Sequence, residues 1–182
     1  MIQRVLTLLL ILSAQIFAYS YDDTIIQIEA KLFPKIILLE ENMQDSKKSE
    51  IKIVILSSKL DENVASRFKH AIEKNYPNKL AGKKILVSVK TFSQAKKDKS
   101  DALIILKHSK KELTQIALWA NKNKIINFAY DPYYLEYGVL ASIYIGKTTK
   151  PFLNSTIMKK YNFNFNAFLL QLCKFTTTKE NE

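Results

Sequence analysis

Hydrolysis or group transfer needs a nucleophile within reach of a base, and this chain holds two histidines, His70 and His108, and one cysteine, Cys173. His70 falls on the polar side of a helical pattern. His108 ends an apolar run just before a capping signal, and neither histidine has a partner that its spacing names. There is no glycine-rich phosphate loop, no HExxH and no Cys/His set at zinc spacing. The carboxylates Asp22 and Asp23 read as a solvated N-terminal stretch. These residues assign no catalytic group, no metal and no cofactor, so a binding role is expected rather than an enzyme.

The richest contact chemistry lies between the apolar runs Ile125–Ala129 and Val139–Ile145, where a loop carries Tyr130, Asp131, Tyr133, Tyr134, Tyr137 and Gly138. Tyrosine joins an apolar ring face to a polar tip, which suits an interface or a small-ligand pocket. The same rings could instead plug and cover the core beneath the loop, and both readings stand at this point. Trp119, at the margin of an apolar helical stripe, is placed at the rim of the core, with a partner-binding role as the alternative.

The elements that must hold this loop follow from periodicity. Ile25, Ile28, Leu32, Ile36 and Leu39 predict a core-facing helix that Pro34 should kink or divide, and Glu40–Glu50 reads as an exposed loop. Ile51–Leu56 reads as a central strand buried on both faces. A helix carrying Val64, Ala65, Phe68, Ala71 and Ile72, capped by Asp61, then leads to a strand at Ile85–Val89. That is a βαβ unit with parallel strands. Ala102–Leu106 predicts a third strand, Ser109 and Glu112 a capping box, and Leu113, Ile116, Ala117 and Ala120 the inward face of the next helix. After the strands on either side of the tyrosine loop, Phe152–Ser155 predicts an edge strand behind Pro151. Phe165, Phe168, Leu169 and Leu172 predict a closing helix, and Thr176–Glu182 should fray. The expected fold is α/β: an open, mostly parallel sheet with helices on both faces and an antiparallel hairpin near the C-terminal end.

Residues 1–20 read as a secretory signal peptide, with Arg4 ahead of the aliphatic run Val5–Leu12 and small residues at Ala18 and Ser20. The apolar run is shorter than the roughly 20 residues of a spanning helix, so no stable membrane insertion is expected after cleavage. Residues 21–182 are then one domain in the periplasm. The net charge of +11 comes almost wholly from lysine. Nucleic-acid recognition leans on the arginine fork, and Arg67 is the one arginine left after Arg4, so no nucleic-acid partner is expected. A single cysteine cannot close an internal disulfide. Cys173 reads first as a small buried hydrophobe and second as a thiol linking a homodimer. Asn154-Ser155-Thr156 is formally a glycosylation acceptor, set in a strand end.

The order of elements resembles the YfiR-like family of periplasmic regulatory proteins. The resemblance rests on Ile125–Ile145 as strand, acid-bearing loop and glycine-preceded strand, on Phe152–Asn154, Ser155–Tyr161 and Phe168–Leu172 as the last strand and helices, and on Ala30–Phe33 in the opening helix. The chain has Tyr137-Gly138 where the family usually has paired glycines, and it lacks the cysteines that bridge some members. The resemblance implies a non-enzymatic regulator that binds the sensor region of an inner-membrane diguanylate cyclase, so a membrane sensor protein, a cyclase or a kinase, is the expected partner. The alternative is a periplasmic small-molecule binder related to the solute-binding domains of transporters. For both readings the candidate contact residues are Trp119, Tyr130, Asp131, Tyr133, Tyr134 and Tyr137.

Overall fold

Alternation along the strands decides which side chains meet which helical layer. In the computed structural model, which describes residues 21–178, eight strands form one sheet in the order β2-β3-β1-β4-β5-β6-β7-β8. They are β1 (Glu50–Leu56), β2 (Lys79–Leu80), β3 (Lys83–Lys90), β4 (Ala102–Ile105), β5 (Ile126–Ala129), β6 (Ala141–Ile145), β7 (Thr149–Asn154) and β8 (Lys174–Thr176). β3, β1, β4, β5 and β6 run parallel, and β6 and β7 form the antiparallel hairpin. This is the expected α/β architecture. The signal-peptide segment lies outside the described residues.

On one face, Ile51, Ile53 and Ile55 of β1 and Ile104 of β4 pack beneath α1 (Asp23–Ile37) and α3 (Glu62–Asn75). Phe33 stacks between Phe128, 4.3 Å away, and Phe68, 6.2 Å away, so one helical ring ties both helices to β5. On the other face Val54, Leu56, Leu103 and Ile105 meet α4 (Phe92–Ala95) and α5 (Lys110–Lys122), where Leu113, Ile116, Ala117 and Ala120 are buried as expected. Ser109 and Glu112 form the predicted capping box.

Several local features depart from expectation. Pro34 does not divide α1, which runs unbroken to Ile37, because it sits in the last turn, where little of the ladder remains to lose. The segment expected to be an exposed loop folds into α2 (Glu41–Gln44), with Met43 buried and the buried Glu40 carboxylate accepting from the Met43 amide at 3.0 Å. Asp61 precedes α3 without capping it; its carboxylate accepts instead from the Ser58 hydroxyl at 2.8 Å. Asp22 does cap, accepting from Thr24 N at 2.7 Å, and Asp23 pairs with Arg67, so these carboxylates are structural.

β7 is an interior strand. β8 pairs with Phe152–Asn154, so Pro151 stands just before the strand gains its second neighbour. Thr176 belongs to β8 rather than to a fraying tail. After α6 (Ser155–Tyr161), the closing helix α7 (Ala167–Leu172) buries Leu169, whereas Phe168 and Leu172 are 66% and 48% exposed. Asn154 is fully buried and caps α6 through Ile157 N at 3.1 Å, which removes it as a glycosylation acceptor. Cys173 is half-buried, and that burial pushes its thiol up to about 11.

Candidate functional site

β5 and β6 are parallel neighbours, a connection that normally takes a dozen or more residues and a helix. Here residues 130–140 cross over through a 3-10 turn at Pro132–Tyr137, and the two strands share one paired register, Phe128 with Ala141. Asp131 starts the turn by accepting from Tyr133 N at 2.9 Å. Gly138 ends it at φ +92°, a left-handed conformation that a side chain would strain.

Three buried asparagines fasten the turn. Asn121 donates to Gly138 O at 2.8 Å and accepts from Asn127 Nδ2 at 2.7 Å, while Asn127 Oδ1 accepts from Leu140 N at 2.9 Å. Asn154 Nδ2 donates to Leu135 O at 2.8 Å. The arms that reach Gly138 O, Leu140 N and Leu135 O satisfy backbone groups of the short crossover.

Beyond the carboxyl end of β5, between the 3-10 turn and the β6-β7 hairpin, a cleft of about 420 Å³ opens, walled by Ile25, Tyr130, Asp131, Tyr133, Ile143 and Phe152, with Glu136 also lining it. The tyrosines divide by role. Tyr130 is buried, and its ring lies 4.9 Å from that of Tyr21. Tyr134 packs on the core of the α5 face and its hydroxyl accepts from His108 N at 3.4 Å. Tyr133 is 48% exposed, and its hydroxyl and that of Tyr137 hydrogen-bond at 2.9 Å. The Tyr137 hydroxyl is held below its ordinary range, first by the Tyr133 hydroxyl and then by Lys110, whose ammonium lies 5.6 Å from the Tyr137 ring. Thus Tyr130, Asp131 and Tyr133 come together in the cleft wall, Tyr137 stands beside it, and Tyr134 serves the core beneath. Trp119 is not among the cleft's lining residues. It meets Phe92 edge-on at 5.7 Å at the rim of the opposite core.

Open parallel sheets take ligands at the carboxyl ends of their strands, where the chain order reverses. In this sheet the reversal lies between β1 and β4, and Tyr21 occupies it. Its hydroxyl accepts from Lys107 N at 2.8 Å, and burial beside Asp61 raises its ionisation far above the ordinary range. The open space is displaced along the same sheet end to β5 and β6. A larger cavity of about 600 Å³ sits at the opposite end of the strands, with its main charges already engaged: Asp101 pairs with Lys48 at 2.6 Å, and Glu40 holds α2.

Glu29 was invisible as a site residue from the sequence. It is fully buried on α1, one turn from Ile25, and neither carboxylate oxygen has a hydrogen-bond partner among the described residues. Burial, then the negative charge of Asp131, pushes its carboxyl well above the usual range, and Glu29 in turn raises the hydroxyl of Tyr130. The signal was its place within the apolar spacing Ile26, Ala30, Phe33.

No protein-family model and none of the curated proteins match this chain. Solved structures do. A conserved domain protein from Vibrio cholerae O1 biovar El Tor aligns with a TM-score of 0.57 at 14% identity, over 84% of this chain and 60% of that one. The ligand-free, open structure of a substrate-binding protein with adhesive properties from Clostridium difficile aligns at 0.51 and 17%, over 73% and 56%. The ABC domain from Streptococcus pneumoniae in complex with L-Trp aligns at 0.50 and 14%, over 84% and 60%. The chain therefore spans between 56% and 60% of the length of these structures, and what it shares with them is the α/β fold.

Proposed function

We propose that this protein is a small-molecule-binding protein that acts outside the cytoplasm, with the tyrosine-walled cleft between the 3-10 turn and the β6-β7 hairpin as its site. The observation that carries the reading is the cleft's place: an apolar, aromatic hollow at the carboxyl ends of parallel strands, bounded by convergent polar groups. Support comes from the fold likeness to a substrate-binding protein and to an ABC domain in complex with L-Trp. Among the described residues no helix is long and apolar enough to cross a membrane. A thermal-shift screen of amino acids, amines, nucleosides and sugars, repeated on Tyr133→Ala, tests it. Ligands of this site raise the midpoint of the native chain and raise it less in the variant. If no compound shifts the native protein, the reading fails.

A protein partner is the second reading. It is favoured by the exposed apolar side chains Phe168 and Leu172 on α7 and Phe175 on the edge strand β8. A membrane sensor protein of the kind bound by YfiR-like regulators would meet this edge. Loss of co-purification on Phe168→Ser with Phe175→Ser, against an unchanged Tyr133→Ala, would distinguish this reading from the first.

A further inference from the structure

At the amino ends of the parallel strands, away from the tyrosines, the cavity of about 600 Å³ is lined by the segments that lead into β1, β4 and β5 and by the 162–164 loop after α6. Its charged members are two cations, Lys48 and Lys124, and two carboxylates, Glu40 and Asp101, and each is engaged. Asp101 accepts from Lys48 Nζ at 2.6 Å and from Lys52 N at 2.8 Å. Glu40 accepts from Asn42 Nδ2 at 2.8 Å and from Met43 N at 3.0 Å, and Lys124 donates to Tyr161 O. A charged ligand would leave water here with no spare opposite charge to meet it, which is strongly unfavourable.

What the cavity has to spare is neutral hydrogen-bonding capacity. Asn162 and Asn164 serve the fold through backbone groups, Asn162 N donating to Lys159 O and Asn164 O accepting from Glu41 N, which leaves their side-chain amides uncommitted. Asn123 spends its Nδ2 on Trp119 O at 2.8 Å and keeps its side-chain oxygen. Ser100 also lines the cavity, and its hydroxyl oxygen is buried without a hydrogen-bond partner among the described residues. Native structures mostly avoid such an atom unless water or a ligand completes it. Met43, Ile126 and Phe163 supply the apolar part of the lining.

We infer that this cavity is a second ligand site, which takes a neutral polyhydroxylated molecule, a mono- or disaccharide. Its hydroxyls pair with the amides of Asn123, Asn162 and Asn164 and with Ser100, while a C–H face of the ring lies on Ile126 and Phe163. A hydroxyl both donates and accepts, so it suits an amide's oxygen and its NH2 alike. The volume falls within the ordinary range of small-ligand sites. This site shares no residue with the tyrosine cleft, so it stands independently of the function proposed above.

Amide NMR spectra of the isotope-labelled full chain, titrated at about pH 6 with glucose, N-acetylglucosamine, maltose and trehalose and then with glucosamine and glucuronate, test this. At least one neutral sugar is expected to shift the side-chain amide signals of Asn123, Asn162 and Asn164 and the backbone amide of Ser100, with Tyr133 and Tyr137 unmoved. The charged sugars should bind at least tenfold more weakly. Asn164→Ala and Ser100→Ala should each weaken the neutral sugar about fivefold, whereas Tyr133→Ala leaves its affinity unchanged. Ser100→Ala should also keep the unfolding midpoint at or above native, since it removes a buried hydroxyl without a partner; a loss of midpoint would show that the hydroxyl serves the fold instead. Silence of every neutral sugar, equal affinity for a charged one, or unchanged affinity in both cavity variants overturns the inference and leaves the cleft reading untouched. Shifts confined to the tyrosine turn overturn it as well, and support that reading.

Discussion

The backbone N–H of Asp22 donates to the Tyr130 hydroxyl at 2.8 Å, joining the start of α1 to the end of β5 across 108 residues of sequence. With the Tyr21 and Tyr130 rings 4.9 Å apart, the entry to the first helix and the back wall of the cleft form one unit. Tyr130→Phe keeps the ring contact and removes the acceptor. The expected result is a loss of about 1 kcal/mol in urea unfolding and faster hydrogen exchange of the Asp22 amide, with amides of β1 and β4 unaffected.

Glu29 makes stability depend on pH with a definite sign. Burial pushes its folded-state carboxyl well above the ordinary value of about 4.5, so above the unfolded value the folded chain binds more protons than the unfolded one. The stability it contributes is therefore complete below about pH 4.5 and declines as pH rises through the folded value. The difference in unfolding free energy between Glu29→Met and the native chain should shift in the variant's favour as pH is raised from 4 towards 8. At neutral pH the variant is expected to be the more stable by about 1–3 kcal/mol, since a buried, unpartnered polar group is exchanged for an apolar one of similar size. Chemical denaturation at several pH values measures it, and a constant difference across the range would contradict it.

Asn127 joins β5, α5 and the end of the tyrosine turn through three hydrogen bonds, to Asn121, to Ile125 O and from Leu140 N. Asn127→Leu leaves the Leu140 amide without its side-chain acceptor and frees Asn121 Oδ1 in a buried setting. A destabilisation of about 2–4 kcal/mol is expected, along with weaker ligand binding than that of a surface variant of equal stability. Unfolding midpoints paired with ligand titration provide the check.

Tyr133 and Tyr134 are adjacent in sequence and separate in role. Tyr133→Ala should leave the unfolding midpoint within about 0.5 kcal/mol of native and weaken ligand binding. Tyr134→Ala removes a ring packed on the α5-side core and should cost about 2–4 kcal/mol. A double variant would mix the two effects, so the single variants are the informative pair.

Cys173 is half-buried and its thiol is pushed up to about 11. Because the thiolate is the nucleophile, its alkylation by iodoacetamide at pH 8 should run at least tenfold more slowly than that of free cysteine. A rate equal to that of the free thiol would show that the residue is open.

Much of this architecture could be read in the chain because its strands are short and strictly patterned. Ile51, Ile53 and Ile55 against Val54 and Leu56 announce a strand with helices on both sides, and Ser109 with Glu112 announces the start of α5. The aromatic loop was also legible as a place, since Asp131-Pro132 and Gly138 bracket it. What its residues do individually was not. The division between Tyr133 in the wall and Tyr134 in the core follows from the 3-10 turn, which points neighbouring side chains in different directions, and residue type carries no trace of it. Glu29 was hidden for the opposite reason: a charged residue within an apolar stripe reads as the helix's polar margin until burial shows otherwise. The fastening asparagines were likewise illegible, because their partners, one another and the backbone of the turn, are brought close only by tertiary packing. At the C-terminus, the apolar run through Phe168 and Leu172 suggested inward-facing residues, but α7 turns Leu169 fully and Leu170 partly towards the core and leaves Phe168 and Leu172 exposed.

The single paired register between β5 and β6 has one more consequence. The turn that replaces a full crossover helix supplies Pro132, Tyr133, Leu135 and Glu136 to one wall of the hollow, facing Ile143, Ile145 and Phe152 of the hairpin. Trimming Tyr133 should change which guests are welcome without closing the room, whereas rebuilding the crossover as a long helix would take that wall away.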